Sequence, residues 1–189
     1  SGTLTNVVAT AAGDLELAIG DYIDDFASDT WAKSATGAFT VTHTGSAYQI
    51  AFPSQTPSSP GQYGQISKTI RIVNAAGVRL QVDVTDTFTG ATQGYHFKQI
   101  LVDGVVVWED DVAGSEGTQR VDVDISAQLS GKSQATIALR VYDKAGVGNF
   151  GVTVTWDNFR LTNAVHQPSG SRTSPPIDLS PVGTAAGSS

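Results

Sequence analysis

An all-β fold, an antiparallel β-sandwich, is what this sequence predicts. Turn signals recur every 8 to 15 residues, the runs between them are rich in Val, Ile, Thr and aromatic residues, and no segment sustains a helical period. The first strand is expected at Asp14–Ile19 (DLELAI), followed by Ala38–Thr44 (AFTVTHT) and Ala47–Phe52 (AYQIAF). Gly64–Val73 turns Ile70 and Ile72 inward and Arg71 outward, because successive strand residues face opposite sides. Val78–Thr87 reads most cleanly: Val78, Leu80, Val82 and Val84 point to the core, and Arg79, Gln81, Asp83 and Thr85 point away. In Gly94–Asp103 the alternation is muddier, with Tyr95 and Phe97 expected inward and His96 and Lys98 outward. Asp103-Gly104 then suits a two-residue hairpin turn leading into Val105–Val112. Gln119–Ser126, Ala135–Asp143 and Phe150–Leu161 complete the set; Ile137, Leu139, Val141, Val152, Val154 and Trp156 are expected in the core.

The 189 residues, 40% of them hydrophobic, suffice for one substantial core. With no Cys and no Met there is no disulfide framework, thiolate metal site or thiol nucleophile. A net charge of -7 excludes the basic footprint of a nucleic-acid binder. No apolar run approaches the roughly 20 residues a membrane helix needs, so neither nucleic acid nor membrane is expected as a partner. The ends differ in composition from the middle. Residues 163–189 carry four prolines among Ser, Gly and Thr, and residues 1–13 are similar but milder. The expected organisation is a flexible start at 1–13, a sandwich at 14–162 and a linker or tail at 163–189, as in a module cut from a longer chain.

Two features point to chemistry. The last strand, VTVTWDNFRL, alternates through Trp156 and is then broken by Asp157 and Asn158, residues that strands seldom carry inside. They suit either a bulge with local hydrogen bonds or a hard-cation site completed by Asp24 and Asp25. The second feature is the outward phase of the mid-chain strands, where Arg79, Gln81, Asp83, Lys98, Arg140 and Tyr142 fall. Bidentate donors and amides bind ring hydroxyls and an aromatic covers an apolar pyranose face, so this set suits a sugar; its cations suit an anionic one. Tyr63, in a Pro/Gly-rich loop, and Trp108, ambiguous in phase, are the further candidates. Trp156 belongs to the core phase, and Trp31 is expected to pack near the first turn.

DDFASDTW (Asp24–Trp31), QILVDGVVVWEDDV (Gln99–Val112) and RVYDKAGVGNFGVTVTWDNFRL (Arg140–Leu161), in that order, resemble the jelly-roll carbohydrate-binding modules of secreted bacterial polysaccharide-degrading enzymes, over about residues 20 to 162. The resemblance implies a jelly-roll sandwich and a structural calcium held by an early acid and by an Asp of the terminal strand, here Asp24 or Asp25 with Asp157. It also implies a secreted, extracellular and monomeric module that binds a polysaccharide without cleaving it and keeps a neighbouring catalytic module of its parent chain on that polymer. YDKAGVGNF (Tyr142–Phe150) also resembles a signature of jelly-roll alginate lyases, but the companion Arg-x-Glu-Leu-Arg and Gln-Ile-His strands have no counterpart. A lyase-like enzyme, or an adhesive sandwich that binds no glycan, are the alternative readings.

Overall fold

The computed structural model describes residues 7–9, 15–17, 19–88, 93–112, 114 and 116–166. Contacts divide the chain into two units. One holds a short antiparallel hairpin, β1 (Val7–Ala9) with β2 (Leu15–Leu17). The other, Ile19–His166, is the sandwich. The expected flexible start at 1–13 and tail at 163–189 lie outside the described residues, apart from 7–9 and 163–166.

In the sandwich the strands are β3 (Ile19–Asp24), β4 (Ala32–Ala35), β5 (Thr40–His43), β6 (Tyr48–Phe52) and β7 (Tyr63–Arg71). There follow β8 (Arg79–Asp86), β9 (His96–Val102), β10 (Val105–Asp111), β11 (Gly117–Asp124), β12 (Gln134–Asp143) and β13 (Val152–His166). A single helical turn, α1 (Ser126–Leu129), links β11 to β12. Two antiparallel sheets result. One has the order β10-β9-β12-β7-β4; the other runs β11-β8-β13-β6-β5, with β3 beside the second half of β13. This is the expected antiparallel jelly-roll sandwich. Its core takes Leu80, Val82, Val84, Ile137, Leu139, Val141, Val152, Val154 and Trp156, all at most 1% exposed, as the alternation predicts.

Asp103 and Gly104 adopt φ of 49° and 82° and close the β9–β10 hairpin, as their sequence demands. The Asp-Asn break in β13 is a bulge between Asp157 and Arg160. Asn158 sits in the left-handed region at φ 51°, its N–H donates to Asp157 Oδ1 at 2.7 Å, and its side chain donates to Asp83 at 2.8 Å. The inserted residue moves the inward phase from Trp156 to Phe159, so the strand keeps feeding the core after the break.

The expected phase of β9 is reversed. His96 and Lys98 are buried, at 0% and 1% exposure, whereas Tyr95 and Phe97 are half-exposed. The cause is compensation inside the sandwich. Lys98 Nζ lies 2.8 Å from Asp86 and 2.8 Å from Asp110, so its ammonium is paired where an unpaired one would be excluded. Lys68, on the inner side of β7, reaches Asp24 at 3.0 Å. Each of these two lysines of the five-stranded sheet is thus paired with an aspartate of the other, Asp86 or Asp24, and Lys98 also with Asp110 of its own sheet.

His96 lies among the rings of Phe39, Phe52 and Phe150, with neither ring nitrogen hydrogen-bonded and Nε2 3.8 Å from Asp143. Burial pushes its pKa below the usual histidine value, against the opposing pull of Asp143 and Asp111. The unfolded chain, with an ordinary pKa of about 6.5, therefore takes up this proton first. Stability is expected to be complete above about pH 6.5 and to fall as pH drops through that value. Melting temperatures measured between pH 8 and 5 should show this slope in the wild type and a flatter one in His96→Phe; equal slopes would contradict it.

Candidate functional site

On the outer side of the five-stranded sheet, register brings together side chains far apart in sequence. Tyr142 of β12 lies between Tyr63 of β7 and Phe97 of β9, and Arg140 lies between Gln65 and Gln99. The Arg140 guanidinium stacks 5.0 Å from the Tyr142 ring and 5.7 Å from that of Tyr63. Its Nε donates to Gln99 Oε1 at 2.7 Å, and the Gln99 amide in turn donates to Glu109 on β10. Burial lowers the pKa of Arg140 from its ordinary value, while Tyr142, Tyr63 and Glu109 act the other way. A fixed, planar donor between two aromatic rings is the result. Beyond it along the strands, Ala138 and Leu101 are only 6% and 3% exposed yet stand outside the interior cluster, so they floor this face rather than the core.

The loops beside this platform are pinned. Asp143 accepts hydrogen bonds from the N–H groups of Ala145 and Gly146, and from the Ser58 hydroxyl of the opposite loop. Thr56 N–H donates to Gly148 O at 3.1 Å, and a Cβ on Gly148 would fall 1.6 Å from Thr56 O. Only glycine permits that approach.

The candidates drawn from the outward phase separate. Arg140, Tyr142 and Tyr63 meet on the face just described. Lys98 does not: it points into the sandwich, because its ammonium is neutralised there. Arg79, Gln81 and Asp83 belong to β8 and so to the other sheet. There Arg79 pairs with Asp122 at 2.7 Å, Arg120 with Asp83 at 2.9 Å, and Arg160 with Asp21. Trp108 faces inward, edge-on to Trp156 with centroids 6.4 Å apart. The single polar sheet face expected from alternation is therefore two faces of different character, since strand phase sets which side a residue takes and not which sheet it joins.

Gln65, Gln99 and Glu109 were missed in the sequence. Inward Ile100 and Val102 would have assigned Gln99 to the outer side; the misleading signal was Tyr95 and Phe97, whose rings stay at the surface.

Asp24, Asp25 and Asp157 do not make a cation site among the described residues, where no group of three or more acidic or histidine side chains is placed to hold a metal. The Asp24 carboxylate already receives Tyr22 OH, Phe26 N–H, Trp31 Nε1–H and the Lys68 ammonium. Burial raises its pKa, but the hydrogen bonds from Trp31, Lys68 and Phe26 outweigh burial and hold it below the usual carboxylate value. Asp25 accepts Ala27 N–H, and Asp157 serves the bulge. A calcium ion does not fit this donor set, because a lysine ammonium stands against the carboxylate it would need. Trp31 is drawn into the core by the same cluster, edge-on to Phe26 and Phe159.

No protein-family model and no curated protein matches the chain. Solved structures do. The family 11 carbohydrate-binding module from Clostridium thermocellum, in complex with a β-1,3-1,4-mixed-linked tetrasaccharide, aligns at 14% identity and a TM-score of 0.49, over 79% of this chain and 99% of its own. The carbohydrate-binding module TmCBM27, known for mannan recognition, aligns at 14% identity and 0.49, over 77% of this chain and 97% of its own. A third, from work on promiscuous carbohydrate-binding modules of the β-sandwich superfamily, aligns at 12% identity and 0.48, covering 82% of this chain and 71% of its own.

Proposed function

We propose that this protein is a non-catalytic carbohydrate-binding module and that the outer face of its five-stranded sheet holds the polysaccharide. The observation that carries this is the Arg140 guanidinium fixed between Tyr63 and Tyr142 and oriented by Gln99. Aromatic rings offer stacking surface to the apolar side of a pyranose, while Arg140, Gln65, Gln99 and Glu109 offer donors and acceptors to its hydroxyls. The resemblance of the three sequence motifs to such modules supports the same reading, and with it the role of a secreted, monomeric module that keeps a catalytic neighbour on its substrate.

Proton abstraction from a sugar needs a base within hydrogen-bond reach. His96 is sealed on the inner side of the sheet, and His43 is bonded to Phe26 O at 2.7 Å.

Affinity electrophoresis of Tyr63→Ala, Tyr142→Ala and Arg140→Ala, beside Arg79→Ala and Gln81→Ala on the other sheet, tests the site. Loss of an Arg from a charge-assisted contact is expected to weaken binding about ten- to a hundredfold, and each Tyr about fivefold or more. The β8 variants should bind as wild type. Retention lost in Arg79→Ala but kept in the first three would move the site to the other sheet. Release of new reducing or unsaturated chain ends by the pure protein would overturn the non-catalytic reading.

A further inference from the structure

Most cations of this acidic chain are spent on carboxylates. Lys98 is clasped inside the sandwich, half-buried Lys68 is paired with Asp24, Arg79, Arg120 and Arg160 are paired on the six-stranded sheet, and Lys33 and Lys132 are paired with Asp29 and Asp103. Among the described residues three have no ion pair: Arg71, Arg140 and Lys144. All three belong to the outer side of the five-stranded sheet or its rim. Arg71 follows Tyr63, Gln65, Ser67 and Thr69 on the outward phase of β7 and lies opposite Gln134 of β12. Lys144 follows β12 directly and stands 5.1 Å over the Phe97 ring.

Acids are placed just as selectively. The outward positions of β12, β7 and β4 carry Tyr, Arg, Ala, Thr, Gln and Ser, and no Asp or Glu, in a chain with 18 acidic residues. The acids of this face, Glu109 and Asp111, stand on the edge strand β10, paired across from Gln99 and Phe97. A lane along β7 and β12 is therefore positive at both ends, and the Asp103 carboxylate that accepts the Thr136 N–H beside it is neutralised by Lys132. Arg140 lies opposite Gln65, six residues along β7 from Arg71, so the two guanidiniums are anchored about 20 Å apart. One charged sugar cannot meet both.

We infer that the ligand is a polyanionic polysaccharide, with carboxylate or sulfate groups recurring along the chain, lying parallel to β7 and β12 so that Arg140 and Arg71 meet separate anionic groups. This rests on the reading of the sheet face as the glycan site. Guanidiniums suit both anions because their planar fork matches two oxygens at once. Lys144 adds a third charge at the aromatic end.

The test uses the whole chain in a binding series with polygalacturonate, carboxyl-reduced polygalacturonate, a sulfated galactan, its desulfated form, and a neutral mannan and mixed-linked glucan. Variants are Arg71→Gln, Arg140→Gln and Tyr142→Ala. Expected is binding to at least one charged polymer, weakened about tenfold or more when its charges are removed, weakened by raised salt, and weakened about tenfold in Arg71→Gln. Arg71 is exposed and unpaired, so its replacement leaves the fold intact. If a neutral polymer binds as tightly, independently of salt and of Arg71→Gln, while Tyr142→Ala still abolishes binding, the polyanion inference fails and the site stands. If Tyr142→Ala and Arg140→Gln bind every polymer as wild type does, or nothing in the series is bound, the site reading fails and this inference with it.

Discussion

Replacing Lys98 by Ala is expected to cost about 3 to 5 kcal/mol of stability, more than a surface ion pair could account for. Asp86, 1% exposed at its side chain, would be left with an uncompensated charge between the sheets, and Asp110 and Glu116 would repel it without the ammonium they now share. Gln119 Oε1, 3.1 Å from Nζ, would lose its donor as well. Burial pushes the Lys98 pKa down, but hydrogen bonds to Asp110 and Asp86 outweigh it and hold the value above the ordinary lysine range. The stability contributed by Lys98 is thus complete below its unfolded pKa of about 10.4 and is lost as pH rises through the higher folded value. Urea denaturation of Lys98→Ala at neutral pH measures the cost. The double variant Lys98→Met, Asp86→Leu, which removes both charges at similar volume, should recover most of it. A Lys98→Ala protein within 1 kcal/mol of wild type would refute the buried pairing.

Asp143→Ala should be nearly as damaging, by about 3 to 5 kcal/mol, and it should also abolish glycan binding in the molecules that remain folded. Its carboxylate is fully buried and gathers the N–H groups of Ala145 and Gly146 at 3.1 and 2.7 Å together with the Ser58 hydroxyl. Its backbone also exchanges hydrogen bonds with the opposite loop, from Gly61 N–H to Asp143 O and from Asp143 N–H to Gln62 O, both at 2.8 Å. Tyr63 follows Gln62 and Tyr142 precedes Asp143, so the same side chain that closes the two loops fixes the separation of the two rings. Without it those donors face the interior unpaired. Asp143→Asn keeps one acceptor oxygen and should cost less. The check is chemical denaturation of both variants beside affinity electrophoresis. Unchanged stability in Asp143→Ala, or full retention on the polymer, would show that the loops hold the rings by other means.

The strands of this protein were legible because burial on one side of a sheet writes itself into alternate residues. Val78 to Val84 and Ile137 to Val141 needed no further information, and Asp103-Gly104 fixed its hairpin through the backbone conformations those two residues tolerate. Short strands were harder to see. β3 was missed as a strand of its own because Ile19 and Ile23, its apolar residues, are 50% and 67% exposed, and β4 because all four of its residues face solvent.

The candidate site was legible in part. Arg140 and Tyr142 share one strand and one phase, so sequence alone placed them together. That Tyr63 joins them was decided by the β7–β12 register, a pairing of residues 79 positions apart for which local sequence carries no signal. Lys98 differs, since its partners are near in sequence, Asp86 on β8 and Asp110 across the β9–β10 hairpin. Its chemistry says surface, and it is buried because Asp110, its partner across the hairpin, is joined by Asp86 of the facing sheet, each 2.8 Å from its ammonium once the sheets have packed. Alternation along one strand thus determined which residues face the core wherever the core is apolar. Which sheet a strand joins, which outward residues become neighbours, and whether a charge can enter the interior depend on how strands pair and how the two sheets face one another, and only the tertiary structure decided them.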